Sequence, residues 1–171
     1  MSYERSERFR ASDSIFYTIT RDIDPVSPDT WDSEDVFLAS KYRNFSVRES
    51  FLSQDPPKEE YWVFPLWVYD HSGIHLSTGG PVCQWDSCNP GYVYVRKDVW
   101  QSQKEALKAA DGLLEDWNYY LSGDVWGVRV YKDNVCGSCG NNDPEELEAC
   151  WGISGYSNAE EEAKLICTTY T

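Results

Sequence analysis

Two stretches of the chain hold residue types that do chemistry at close spacing. The first runs Tyr69-Asp-His-Ser-Gly-Ile-His-Leu-Ser-Thr78 and continues as Cys83-Gln-Trp-Asp-Ser-Cys88. It holds both histidines of the protein, two cysteines and two aspartates. A thiol nucleophile needs a base to take its proton and an acid to orient that base. Cys83, with His71 as base and Asp70 or Asp86 as orienter, would supply those parts for a Cys/His hydrolase. The same residues also suit a polar hairpin turn, in which Asp and Ser side chains bond to local backbone N–H groups. The second stretch is Cys136-Gly-Ser-Cys139. Its C-x-x-C spacing is that of a zinc knuckle, and Cys150 is a candidate third ligand. Cys83 and Cys88 are too far apart for a second C-x-x-C pair. A Gly-rich loop with two reduced thiols is the plainer reading, and no cofactor is expected. A thioredoxin-like role is disfavoured because the motif does not open a helix after a strand.

The elements that must position these residues read as follows. Ser14–Thr20 is β-branched and aromatic, a strand. The loop 22–35 is acidic and carries two prolines. Val36–Ala39 is a short strand. Ser46 with Glu49 forms a capping-box pattern that predicts a short helix from Val47 to about Ser53. Tyr61–Tyr69 is the candidate central strand, Ile74–Thr78 its hairpin partner, and Gly91–Arg96 another strand. Ser102 with Glu105 opens the clearest helix, with Ala106, Ala110, Leu113, Trp117 and Leu121 along one face and Gly123 as its stop. Val125–Tyr131 and Cys150–Gly155 read as strands around a loop at 135–143. Ser157 with Glu160 predicts a last helix to about Thr168. Strands in runs with few βαβ alternations imply an α+β fold: one domain over 14–171, a mainly antiparallel sheet, two or three helices on one face, and a flexible arm over 1–13.

Composition narrows the partners. The chain has 171 residues, 15 Lys+Arg against 29 Asp+Glu, and a formal net charge of -14. This opposes direct binding to nucleic-acid phosphates and to anionic membranes. The charged N-terminus lacks a signal-peptide core, and the longest apolar run is about half a membrane span. A cytoplasmic location is therefore expected, and the oligomeric state is not legible. Two acidic clusters stand out. One is Asp22, Asp24, Asp29, Asp32, Glu34 and Asp35; the other holds Asp143, Glu145, Glu146 and Glu148, followed by Glu160, Glu161 and Glu162. Rows of carboxylates can imitate duplex phosphates and fill a nucleic-acid channel. They also simply keep a protein soluble. Trp31 and Trp85 lie in loops, where an aromatic side chain is either pinned in a pocket or offered to a partner. Trp62, Trp67, Trp117 and Trp126 read as core.

Several segments together resemble a family of small proteins carried by phages and plasmids. They are Ser27-Pro-Asp-Thr-Trp-Asp32, the segment from Leu66 to Thr78, Cys83-Gln-Trp-Asp-Ser87 with Gly91-Tyr-Val-Tyr-Val95, Tyr120-Leu-Ser-Gly-Asp-Val-Trp-Gly127, and Ala149-Cys-Trp-Gly152. The resemblance spans about residues 14–155. Cys88 stands where the pattern has glycine, and the loop with Cys136 and Cys139 is an addition to it. The resemblance implies a mobile-element origin. For a small acidic protein of that origin, the expected role is inhibition of a host nucleic-acid-binding protein or nuclease, in restriction or CRISPR defence, by stoichiometric binding. A phage structural role is the remaining alternative.

Overall fold

The computed structural model describes residues 8–30, 34–43, 45–53 and 57–171. The fold is α+β, with two antiparallel sheets and two α-helices among the described residues. The chain divides into two compact units. One is built from its two ends, residues 1–26 and 123–171, and the other from residues 27–122.

The terminal unit has a four-stranded sheet in the order β1-β2-β8-β9. Its strands are β1 (Arg8–Arg10), β2 (Ile15–Arg21), β8 (Val125–Lys132) and β9 (Glu145–Ser154). The alternation Ile15, Tyr17, Ile19 on β2 and Val128, Val130 on β8 points one face of the sheet at helix α2 (Tyr156–Tyr170). Ala159, Ala163, Ile166 and Cys167 close this core from the helix side. Residues 8–10, expected to belong to a flexible arm over 1–13, instead pair with β2 as a strand, and residues 1–7 lie outside the described residues. The predicted capping box at Ser157 does not form. The helix starts two residues earlier, after Gly155 at φ 81°, with no side-chain cap.

The middle unit has a five-stranded sheet in the order β4-β3-β7-β5-β6. These are β3 (Val36–Tyr42), β4 (Phe45–Val47), β5 (Tyr61–Asp70), β6 (Ile74–Ser77) and β7 (Ser87–Arg96). Helix α1 (Gln103–Ser122) covers one face through Ala106, Ala110, Leu114 and Trp117. Leu113 and Leu121, expected on that stripe, flank it half-buried. Ser102 caps the helix as expected: Glu105 N–H reaches Ser102 Oγ at 3.3 Å, and Ser102 Oγ in turn donates to Glu105 Oε2 at 2.7 Å. Gly123, at φ 70°, ends the helix in the left-handed region that residues with a β-carbon rarely adopt.

The predicted helix at 47–53 is a correction. Phe45 and Val47 alternate into the core as β4, and only a 3₁₀ turn follows over Glu49–Leu52. Arg48 sits left-handed at φ 45° between them, which stops the helix from extending backwards. Strand β5 lies inside the sheet, paired with β7 on one side and β6 on the other, as its apolar run implied, and β7 is the middle one of the five. Gly91 is the residue that lets β7 lie there: a β-carbon on it would come within 1.9 Å of the Ala39 carbonyl oxygen.

Candidate functional site

The Asp70–Cys88 segment lies at one end of the middle unit's sheet. Strand β5 ends at Asp70, the turn 71–73 reverses the chain, and β6 returns. Asp70 N–H donates to the Asp86 carbonyl at 2.9 Å, which brings the two halves of the segment together. The histidine finds one of the two aspartates proposed for it. His71 Nδ1 lies 3.3 Å from Asp86 Oδ2, with both side chains well exposed. Asp70 faces elsewhere: Tyr42 Oη donates to its Oδ2 at 2.7 Å, and Arg43 Nη1 lies at 3.4 Å. That hydrogen bond holds the Tyr42 phenol above its usual pKa. Cys88 sits beside this group, and burial pushes its thiol up, the wrong direction for a nucleophile. Cys83 is half-buried, and its backbone N–H is bonded to Ser87 Oγ at 3.1 Å. Among the described residues no hydrogen bond joins Cys83 to His71. The dyad exists, but the nucleophile is not set on it.

The second cysteine site is in the terminal unit, at the tip of the β8–β9 connection. Val135 and Asn142 bridge across the loop. Cys136 N–H donates to Asn141 O and Gly140 N–H to Cys136 O, both at 2.8 Å. The Asn142 side chain ties the base, accepting from Asn134 N–H at 3.0 Å and donating to Asp133 at 2.6 Å. This frame turns donors onto one sulfur. Ser138 Oγ lies 3.0 Å from Cys136 Sγ. The Ser138 hydroxyl, the N–H groups of Ser138 and Cys139 and the Cys139 thiol together lower the Cys136 pKa to about 6. Cys150, the expected third metal ligand, is not part of this loop. It lies in β9 opposite Val128 and packs on the α2 core, where burial and the charges of Glu162 and Glu148 raise its pKa. Among the described residues no three His, Cys, Asp or Glu side chains converge as a metal set.

The acidic clusters are placed differently from one another. The 22–35 group divides between the units: Asp22 and Asp24 belong to the terminal unit, Asp29, Glu34 and Asp35 to the middle one. Trp31 and Asp32 lie outside the described residues. Asp22 accepts from Asp24 N–H at 3.1 Å, and Asp35 pairs with Arg96 at 3.2 Å. The later group is more coherent. Glu145, Glu146 and Glu148 are exposed along β9, the edge strand of its sheet, with Asp143 just before it. A bulge between Val130 and Tyr131 of β8 shifts their pairing, so carboxylates emerge on both sides of the edge. Glu146 faces Arg129 at a long 3.8 Å, and Glu148 accepts from Tyr170 Oη at 3.0 Å. Trp85 is 88% exposed in the middle unit, beside exposed Val82.

The chain matches no protein-family model, no curated protein and no solved structure.

Sequence reasoning missed the outer face of the terminal sheet. Arg8 and Arg10 stack over Phe16, Phe16 stacks on Tyr131, and Arg129 lies over Trp151. Gly127 makes room for the Trp151 ring, which would lie 2.1 Å from a β-carbon there. Arginines at i and i+2 of a strand share one face, and the spacing Arg8-x-Arg10 was the available signal. It is masked by the acidic residues around it in sequence. Among the described residues no helix is long and apolar enough to cross a membrane.

Proposed function

We propose that this protein is a stoichiometric binder of a basic, nucleic-acid-handling protein, and that its target is a host defence nuclease met by a mobile element. The observation that carries the reading is the open edge of β9. A strand edge presents unpaired backbone N–H and C=O groups to any chain that can add to it. Here that edge also bears Glu145, Glu146 and Glu148. The like charge keeps two copies of the edge apart, and an arginine- or lysine-lined nucleic-acid channel is the surface that answers it. The net charge of -14 adds long-range attraction to such a channel. Trp85 supplies an apolar side chain of the kind that anchors an interface. The likeness of residues 14–155 to the phage and plasmid family supports the biological setting.

The test is DNA cleavage by purified restriction and CRISPR nucleases with the protein added in stoichiometric steps. The expected result is inhibition that saturates near one protein per enzyme and is relieved by excess duplex DNA. The triple substitution Glu145→Lys, Glu146→Lys, Glu148→Lys should weaken inhibition by about tenfold or more, since close charge pairs at an interface contribute upwards of ~1.5 kcal/mol each. Glu115→Lys, on the exposed side of α1, should change it little. Unimpaired cleavage by every nuclease at tenfold excess sinks the reading, as does a triple variant as potent as the parent.

A further inference from the structure

We propose that Cys136 and Cys139 form a redox-active dithiol that exchanges with low-molecular-weight disulfides such as oxidised glutathione. The inference does not depend on the partner assigned above, because it rests on the two thiols and not on the β9 carboxylates. The loop is built for it in three respects. Both thiols are exposed at the tip of a β-hairpin connection, so a disulfide can reach them. The tip is held by the Val135–Asn142 bridge, by the two backbone bonds of Cys136 and by the Asn142 amide, so the two cysteines keep one geometry. Finally, one sulfur is singled out by contact, with Ser138 Oγ 3.0 Å from Cys136 Sγ and Cys139 following one residue later in the same turn. An attacking sulfur with a second thiol three residues on is the arrangement of a resolving pair. The four other cysteines lack it: Cys83, Cys88 and Cys150 are half-buried and Cys167 is buried.

The chemistry balances as two exchanges. The Cys136 thiolate attacks one sulfur of the disulfide R–S–S–R. The Cys136–S–R bond forms, the R–S–S–R bond breaks, and the departing thiolate takes up the proton that Cys136 released. Cys139 then loses its proton and attacks Cys136 Sγ. The Cys136–Cys139 bond forms, and the second R–S⁻ leaves and takes that proton. Two protein thiols are oxidised by two electrons, and one disulfide is reduced to two thiols.

The experiment uses the full, reduced protein with oxidised glutathione and a metal chelator, acid quenching and mass spectrometry. The expected product has lost two hydrogens, mapped to a peptide linking Cys136 and Cys139, with only transient glutathione adduct. Cys139→Ser should stop at one stable glutathione on residue 136. Cys136→Ser should react about tenfold more slowly, because it removes the sulfur that Ser138 Oγ contacts. Circular dichroism should be unchanged in both variants, since the loop packs on no core. Three outcomes overturn the proposal: a wild-type protein that retains glutathione at one or both cysteines, a disulfide formed by another pair, or equal rates for Cys136 and Cys139 in the single variants. Zinc held by the two thiols and protecting them before chelation would overturn it as well, by making the loop a metal site.

Discussion

Cys136 shows what side-chain types alone leave open. A C-x-x-C on paper fits a zinc knuckle, a redox pair or two idle thiols, because the text does not say which groups point at sulfur. The loop frame decides that, setting Ser138 Oγ 3.0 Å from Cys136 Sγ, and hydrogen bonding from Ser138 and Cys139 lowers the Cys136 pKa to about 6. The consequence is a pH profile. Alkylation of Cys136 by iodoacetamide should rise with a midpoint near pH 6, and Ser138→Ala should move that midpoint upward by removing one donor. The sign follows from the donors favouring the thiolate. A midpoint near the ordinary thiol range would mean that the donors do not reach the sulfur in solution. The opposite case is Tyr94, at 0% exposure on the face of the middle sheet away from α1. Its ring stacks on Phe37 with centroids 5.0 Å apart, and its hydroxyl has no partner among the described residues. An unmet buried hydroxyl costs about 1–3 kcal/mol, and phenylalanine keeps the ring. Tyr94→Phe should therefore be neutral or stabilising in thermal denaturation. A clear loss of stability would show that the hydroxyl is bonded after all. In the Asp70–Cys88 segment the sequence exposed the His71–Asp86 pairing. It could not reveal that Asp70 is claimed by Tyr42, since those residues meet only through strands 28 positions apart.

At the scale of elements, periodicity was legible and pairing was not. Strands β2, β5, β6 and β8 and helix α1 follow from alternation, capping and spacing, and they fall within a residue or two of where the pattern puts them. The strand at Gly91–Arg96 starts earlier, at Ser87, because Asn89-Pro90 looks like a turn. The proline is accommodated at a register shift against β5 between Leu66 and Val68. Likewise β9 begins five residues before Cys150, since its row of glutamates hides a strand that tolerates them only as an edge. The grouping of strands into two sheets, with the first joined to β8 and β9 near the C-terminus, involves contacts that no local pattern encodes. One tertiary device in the middle unit gives a direct test. Edge strand β6 is held by a side chain of α1: Asn118 Oδ1 accepts from Leu76 N–H at 2.7 Å, and its Nδ2 donates to Leu76 O at 3.0 Å. The amide thus does for Leu76 what a neighbouring strand would do. Asn118→Ala should cost about 1–3 kcal/mol and speed hydrogen exchange at Leu76 N–H ahead of global unfolding. Unchanged exchange at Leu76 would mean that water or the strand itself replaces the clamp.

For the molecule as a whole, the governing quantity is the imbalance of 29 acids against 15 Lys and Arg. Arg8, Arg10 and Arg129 of the terminal unit gather on the outer face of its sheet, stacked on aromatic rings, while the carboxylates of β9 line its open edge. Charge of this size acts before contact. A cationic channel is felt across about 30 Å at 0.01 M salt and across only about 8 Å at 0.15 M. If the proposed target binds through such a channel, attraction speeds the encounter, whereas dissociation depends on the contacts already made. Stopped-flow association with an inhibited nuclease should therefore slow by about tenfold or more over that salt range, and the dissociation rate should change far less. The Glu145, Glu146, Glu148 to Lys triple variant should show a shallower salt dependence, with the loss concentrated in the association rate. A salt-independent association rate would place recognition in short-range contacts such as Trp85, and the carboxylates would then serve to keep the β9 edge from pairing with itself.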